Sequence, residues 1–564
     1  MGKGGIRLQA LGSASDETLR YRRIRETRMS KITRRELLEI AAATAVSGAG
    51  TAASEASEQK SGIKRELYTR SPIEIYTSSL SVASGETVTL HVSTTAKRYS
   101  LQIARAGLTN KAVWAKNDLM GAFYPTPADA WEKGCRWPAA VNLKIPQDWR
   151  SGFYLISAIT ADQGAPETTA LAFVVVRAAQ PTAKILLVHA TATYGAYNSY
   201  GVASLYAKRG DGASKGFFIC GERRVSFLRP WMPGFLWKPE NYRFDAEFAA
   251  DVGNDFDDRG INRKDGITVW ANVAGFYNWD RVLIHWLEKN GYEVDYAISS
   301  DLERHPDLLR RYRLMLSVGH DEYWSWGMRD TVESFVAQGG NVCFFSGNAA
   351  FWQIRHEDSG NTVVCYKEAA EEDPLYKTDQ KHLTTTLWSS PIVGRPETWL
   401  TGLSWLYGGI ARWEGASPQG AGGYLVYRPE HWIFKDTGLV YADCLGQTSQ
   451  IVHFEVDGCP IRMEQGLPYP QKDYEGPSSL EILGLCPAAN YAFSAEVMEA
   501  GRKILGDNTA WQAFARNHGH AVLGLFTNKG TVFCAGTTDW TNGLTGKDSA
   551  VEQVTRNLLN RLSA

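Results

Sequence analysis

Four side chains able to do acid, base or metal chemistry stand consecutively in Ser317-Val-Gly319-His320-Asp321-Glu322-Tyr323-Trp324-Ser325: an imidazole, two carboxylates and a phenol. They follow an apolar run, Leu314–Val318, that reads as a buried strand, and precede a helical pattern from Trp324 to Gln338. Open α/β sheets bind ligands beyond the carboxyl ends of their strands, so this tip is where chemistry is expected. Strand, turn and helix in that order also make a nucleophile elbow. No Cys occupies the tip, and Ser317 and Ser325 only flank it, which disfavours thiol or alcohol nucleophiles. The residue types suit a hard or borderline metal, or general acid–base work by His320 and Glu322. The plainer alternative has Asp321 and Glu322 capping the helix while Tyr323 packs inward. Four such groups exceed what a cap requires.

A second tip reads Ser346-Gly347-Asn348-Ala349-Ala350-Phe351-Trp352, again expected between a strand and a helix. Gly347 lets backbone approach closely, and Asn348 can donate and accept, as in an oxyanion- or amide-binding loop. A tight turn with an Asn cap is the alternative. The first strand, Ile185–Val188, leads to Tyr194, Tyr197 and Asn198, and the last, Val532–Ala535, leads to Thr537, Asp539 and Trp540. Tyr197, Asn198, Trp352 and Asp539 are therefore candidates for holding substrate. Asn254-Asp255-Phe-Asp257-Asp258-Arg-Gly260 hints at a calcium loop, but Gly266 stands where the bidentate Glu belongs; a solvated turn is the better reading.

These tips need a sheet to hold them. Helical periodicity over Trp279–Asn290, a strand at Glu293–Ala297, a short helix at Leu302–Arg311 and a strand at Asn341–Ser346 alternate at crossover spacing. That alternation implies a mostly parallel sheet with right-handed crossovers. A loop-rich insertion occupies about 207–275, and loops and strands mix from 360 to 530. An amphipathic helix, Ala550–Leu562, ends the chain. Before all this, residues 67–180 carry short β-rich runs separated by turns, which suggests a β-sandwich. The expected organisation is a leader over 1–66, the sandwich over 67–180 and an α/β domain over 181–564.

Composition narrows the class. Apolar residues make up 44% and charged residues 21% of 564, a globular balance. Net charge is −1, but residues 1–35 hold ten Lys or Arg against three Asp or Glu, so the body is acidic. An acidic body offers phosphate no broad surface, and nucleic acid is not an expected partner. Arg34-Arg35 followed by a small-residue apolar run over 40–53 follows the order of a twin-arginine export signal. It points to a periplasmic or extracellular location, with no stable membrane span once the signal is removed. The eight cysteines include no Cys-x-x-Cys pair, so they read as buried small hydrophobes rather than a zinc ribbon.

Taken together, Val318-Gly-His-Asp-Glu-Tyr-Trp-Ser325, Gly339-Gly340, Ser346-Gly-Asn-x-x-Phe-Trp352, Tyr194-x-x-Tyr-Asn-x-x-Gly with Ser204-Leu-Tyr206, and Ala535-Gly-Thr-Thr-Asp-Trp540 resemble the N,N-dimethylformamidase large (beta) subunit family over roughly 185–560. The resemblance implies a flavodoxin- or amidotransferase-like α/β domain with long loop insertions. It implies an amidohydrolase that cleaves the C–N bond of a small substituted amide, with compatibility for a homo-oligomer. It further implies a mononuclear iron held by two tyrosines and a glutamate. On the motif, Tyr323 is the first ligand candidate, Tyr277 the second tyrosine and Glu397 the acid, with Glu322 in reserve; His320, Glu322 and Asn348 are the catalytic candidates. A competing expectation is an exported non-catalytic protein that binds a glycan or partner and retains a decayed α/β site. It rests on the lack of a well-placed acid beside the phenols.

Overall fold

The computed structural model describes residues 72–160, 168–207, 221–239, 242, 266–411, 422–489, 495–516 and 518–564. The leader, the 254–260 loop and Cys220 lie outside the described residues. Residues 71–564 form one compact unit, mixed α/β in class.

Its first 100 or so residues build two sheets. Ile73–Thr77, Thr87–Thr94 and Val141–Lys144 form one, and Ser81–Ala83, Thr168–Arg177, Gly152–Thr160, Arg98–Arg105 and Lys111–Met120 the other. Ile73, Ile75, Val88 and Leu90 from the first meet Leu101, Ile103, Ile156 and Val174 from the second in a single apolar cluster. Alternation of inward apolar and outward polar residues, as in Thr87–Thr94, puts each strand's hydrophobic set on that shared face.

The large sheet has nine strands, in the order Val294–Ile298, Ile185–His189, Leu314–His320, Asn341–Gly347, Gly530–Cys534, Gly519–Asn528, Glu481–Ala488, Tyr424–Val426 and Cys444–Leu445. The first five run parallel. Counted along the chain their order is 2-1-3-4-5, and it reverses between Ile185–His189 and Leu314–His320, which makes the crevice between those strands the expected ligand position. The remaining four are antiparallel, so the sheet is parallel over only half its width. At the first of these pairs the cause is local: Asn528 pairs with Gly530 across Lys529, which takes φ +56°. So short a connection can join only antiparallel neighbours, whereas a parallel pair needs a crossover of a dozen residues or more.

Both strand tips differ from the simple strand–helix expectation. After His320 the chain forms a second short strand, Tyr323–Ser325, before the helix Trp326–Ala337. After Gly347 there is no helix at all; Trp352–Glu357 runs parallel beside Tyr323–Ser325. The two tips are thereby stitched to each other, and Trp352 N–H donates to the Glu322 carbonyl at 2.9 Å. Ser325, not Asp321 or Glu322, caps the helix, its Oγ accepting from Met328 N–H at 3.3 Å.

Candidate functional site

At the crevice where the strand order reverses, three phenols and a carboxylate converge. The helix Thr191–Tyr197, which opens directly after Ile185–His189, delivers Tyr197. The following loop delivers Tyr206, and the tip after Leu314–His320 delivers Glu322 and Tyr323. The Tyr197 hydroxyl lies 2.9 Å from both the Tyr206 hydroxyl and Glu322 Oε2. Tyr206 donates to Glu322 Oε1 at 2.7 Å and accepts from the Tyr323 hydroxyl at 2.7 Å. All four residues are buried. The rings of Tyr197 and Tyr206 stack 4.3 Å apart.

Burial dominates the electrostatics. It pushes the Tyr197, Tyr206 and Tyr323 hydroxyls well above the usual phenol range, and the Glu322 carboxylate adds to this. Burial also raises Glu322 itself, against the pull of His320. The Lys367 ammonium supplies positive charge, with Nζ 3.2 Å from the Tyr206 ring centroid and 5.6 Å from that of Tyr323.

Beside the phenols lies a second group. His320 Nε2 is 2.6 Å from Glu455 Oε2 and 3.3 Å from Glu322 Oε2. Nδ1 is 2.7 Å from the Val273 carbonyl, which can only accept, so that nitrogen carries a hydrogen. Burial alone would lower the imidazole, but Glu455 and Glu322 outweigh it and lift His320 to about 9. Asn348 Nδ2 donates to Glu455 at 2.8 Å and lies 3.3 Å from His320 Nε2. Asn348 takes φ +51°, and the Asp457 carboxylate fixes its backbone N–H at 2.9 Å. His320, Glu322, Asn348, Tyr197 and Tyr323 are thus brought together.

Other candidates are placed elsewhere. Tyr277 is half-buried with its ring 4.4 Å from the Arg281 guanidinium. It precedes the helix Asp280–Lys289 and contributes nothing to the phenol group. Glu397 is buried, but its carboxylate accepts from Ser389 and Ser404 at the start of the Thr398–Thr401 turn. Asn198 pins a loop, with Nδ2 on the Pro230 carbonyl and Oδ1 accepting from Met232 N–H. Asp539 is a structural clasp for Trp279 Nε1, Phe454 N–H and the Thr538 hydroxyl. Trp352 walls the site, its ring 5.3 Å from Lys367 Nζ. Asp321 turns away onto Ser317 at 2.6 Å, and burial lifts it to about 6.

Tyr206, Lys367 and Glu455 are additions to the site. Tyr206 stood inside the matched motif without a role. Glu455 had one faint signal, an acid between Phe454 and Val456 in a β-rich run. Lys367 had none.

Two phenols and a carboxylate are oxygen donors of the kind a hard or borderline metal takes; in the structure the Tyr197, Tyr206 and Glu322 oxygens are joined to one another by hydrogen bonds of 2.7–2.9 Å. Among the described residues no group of three or more His, Cys, Asp or Glu is arranged for a metal, so an ion at this place would be held mainly by phenol oxygens. The cysteines among the described residues are free thiols, and all but Cys444 are buried.

The chain is similar in sequence to known proteins. The N,N-dimethylformamidase beta subunits of Paracoccus aminophilus and of an Alcaligenes species are each 25% identical over 273 residues, 46% of this chain and 31% of theirs. The chain therefore matches about a third of the length of these relatives. Among solved structures, the chitinase ChiW of Paenibacillus sp. str. FPU-7 is 14% identical over 49% of this chain and 24% of its own, with a TM-score of 0.15, too low to inform the fold. The model of the family described as N,N-dimethylformamidase beta subunit-like, C-terminal, matches residues 100–554. With most of its length inside that match, the chain belongs to the N,N-dimethylformamidase beta subunit-like family.

Proposed function

We propose that this protein is a metal-dependent amidohydrolase for a small substituted amide, with Tyr197, Tyr206 and Glu322 holding a ferric ion. The single observation carrying this reading is the meeting of two phenol oxygens with both oxygens of Glu322 in a buried crevice at the strand-order reversal. When bound, the ion supplies Lewis acidity towards an amide carbonyl and a water. The residues do the rest. Breaking a C–N bond requires a proton on the leaving nitrogen. His320 and Glu455 hold one between them, at 3.3 Å from Glu322. Val273 fixes the ring's tautomer and Asn348 orients Glu455. Trp352 and the stacked phenols exclude bulk water. Tyr323 moves from candidate ligand to hydrogen-bond donor behind Tyr206.

The 2-1-3-4-5 order supports a flavodoxin-like lineage for the large sheet, and the shared core of the first two sheets supports the sandwich. The named relatives support formamide-type substrates. Arg34-Arg35 supports export in folded form. The competing non-catalytic reading loses its basis, because an acid does stand beside the phenols.

The test is purified protein loaded with ferric iron. Bound iron at one per chain, a visible phenolate charge-transfer band and amine release from N,N-dimethylformamide or a smaller formamide are expected. Tyr197→Phe and Glu322→Gln should lose the iron. A folded wild-type chain that binds no iron and releases no amine sinks the proposal.

A further inference from the structure

The two candidate phenol ligands have unequal surroundings. Among the described residues the Tyr197 hydroxyl meets Tyr206 and Glu322, and the His320 ring stands 5.6 Å from its own ring, farther than Lys367 stands from that of Tyr206. The Tyr206 hydroxyl additionally accepts from Tyr323 at 2.7 Å, and the Lys367 ammonium stands 3.2 Å from the centroid of its ring. The Lys367 backbone is held at φ +51° and the side chain is fully buried, so this cation is fixed in place rather than sampling solvent. Trp352, 5.3 Å from Nζ, closes another side.

Resting on the metal reading above, we infer that Lys367 and Tyr323 are positioning residues that make Tyr206 the weaker electron donor of an unequal phenolate pair. A cation over a ring face is attracted by the π density and stabilises it. A hydrogen bond donated to the phenolate oxygen withdraws charge from the same ring. Both act on Tyr206, and Lys367 lies nearer the donor ring than any ion bound beyond the oxygen. The donor level therefore falls further than the acceptor level, and charge transfer from Tyr206 costs more energy than from Tyr197. Partners outside the ligand set tune a metal in this way. An electron-poor Tyr206 leaves the ion more acidic towards a substrate carbonyl, while Tyr197 anchors it.

The experiment is visible absorption and resonance Raman on full-length protein loaded with ferric iron. Two resolved phenolate components are expected. Lys367→Met should move the higher-energy component to longer wavelength and leave the other in place. Lys367→Arg, which keeps the charge, should largely restore it, and Tyr323→Phe should shift the same component independently. Two components that stay put in Lys367→Met and Tyr323→Phe, or that move together, overturn the inference while leaving the iron site standing. Loaded wild-type protein with no phenolate band overturns the iron site itself, and this inference with it.

Discussion

His320 Nε2 lies 2.6 Å from Glu455 Oε2, while Nδ1 of the same ring is spent on the Val273 carbonyl at 2.7 Å. A neutral ring with its hydrogen on Nδ1 would present a lone pair to a carboxylate oxygen, which is repulsive at that distance. One proton must therefore lie between the two atoms, on one or the other. This pair is a proton store beside the phenol group, and Asn348 keeps its geometry.

Glu455→Gln removes the store without removing the shape. The amide can still accept from Asn348 and donate to Nε2, so thermal stability should change by only a few degrees. Amide turnover should fall by roughly 10²–10⁴, the usual worth of a positioned acid–base group, with KM much less affected. Amine release measured alongside a thermal melt checks both halves.

If iron binds as proposed, Asp280 should matter to its retention although it touches none of Tyr197, Tyr206 and Glu322. Its two oxygens bind His189 Nδ1 at 2.6 Å and the Tyr194 hydroxyl at 2.5 Å, which ties the helix carrying Tyr197 to the helix Asp280–Lys289. Asp280→Ala strands two buried polar groups at about 1–3 kcal/mol each. Urea unfolding should show a loss of about 2–6 kcal/mol, and iron per chain should fall. Retention of full iron content would show that Tyr197 is held by other means.

Sequence patterning made the strand tips legible because buried parallel strands are unbroken apolar runs and the chemistry follows directly after them. His320, Glu322 and Asn348 are candidates from sequence for that reason. Their neighbours were not. Glu455 begins a short strand, Glu455–Gly458, and Lys367 opens a single 3-10 turn; each reaches the crevice only through long-range packing. Tyr277 stands just before a helix start, but its ring lies against the Arg281 guanidinium, 4.4 Å away, and not in the phenol group. Glu397 looked free because the serines that satisfy it, Ser389 and Ser404, are eight residues before and seven after it. In the antiparallel half of the sheet Cys444–Leu445 is too brief to show a period, while Glu481–Ala488 and Gly519–Asn528 are buried over unbroken runs and so look like parallel strands.

Gly319 explains why His320 can turn into the crevice. It sits in the last turns of a fully buried strand with φ +74°, and a Cβ there would meet the Trp279 ring at 2.6 Å. Gly319→Ala combines a left-handed backbone with overpacking, each about 1–3 kcal/mol. Denaturant unfolding should register a loss of about 2–6 kcal/mol, and activity should drop beyond what the lost folded fraction explains, because Trp279 and His320 shift together. Gly319→Ala at wild-type stability would show that the strand end can relax.

Glu288 couples stability to acid conditions. Its carboxylate binds Arg105 at 2.5 Å and the Leu108 N–H at 2.6 Å, joining the helix Asp280–Lys289 to the strand Arg98–Arg105. Burial alone would raise this carboxyl, but the Arg105 and Leu108 hydrogen bonds outweigh it and hold it below its ordinary value of 4.5. The folded state therefore binds the proton less tightly than the unfolded chain. Above the ordinary value both states are ionised and the whole contribution is present. As pH falls below it, the unfolded chain takes up a proton first, and stability drains away until the folded carboxylate is protonated too. Glu288→Gln should cost about 1–2 kcal/mol at pH 7 and flatten the fall in stability between about pH 5 and pH 3. Urea midpoints measured across that range for both proteins check the sign; parallel curves would assign the acid sensitivity to other carboxylates.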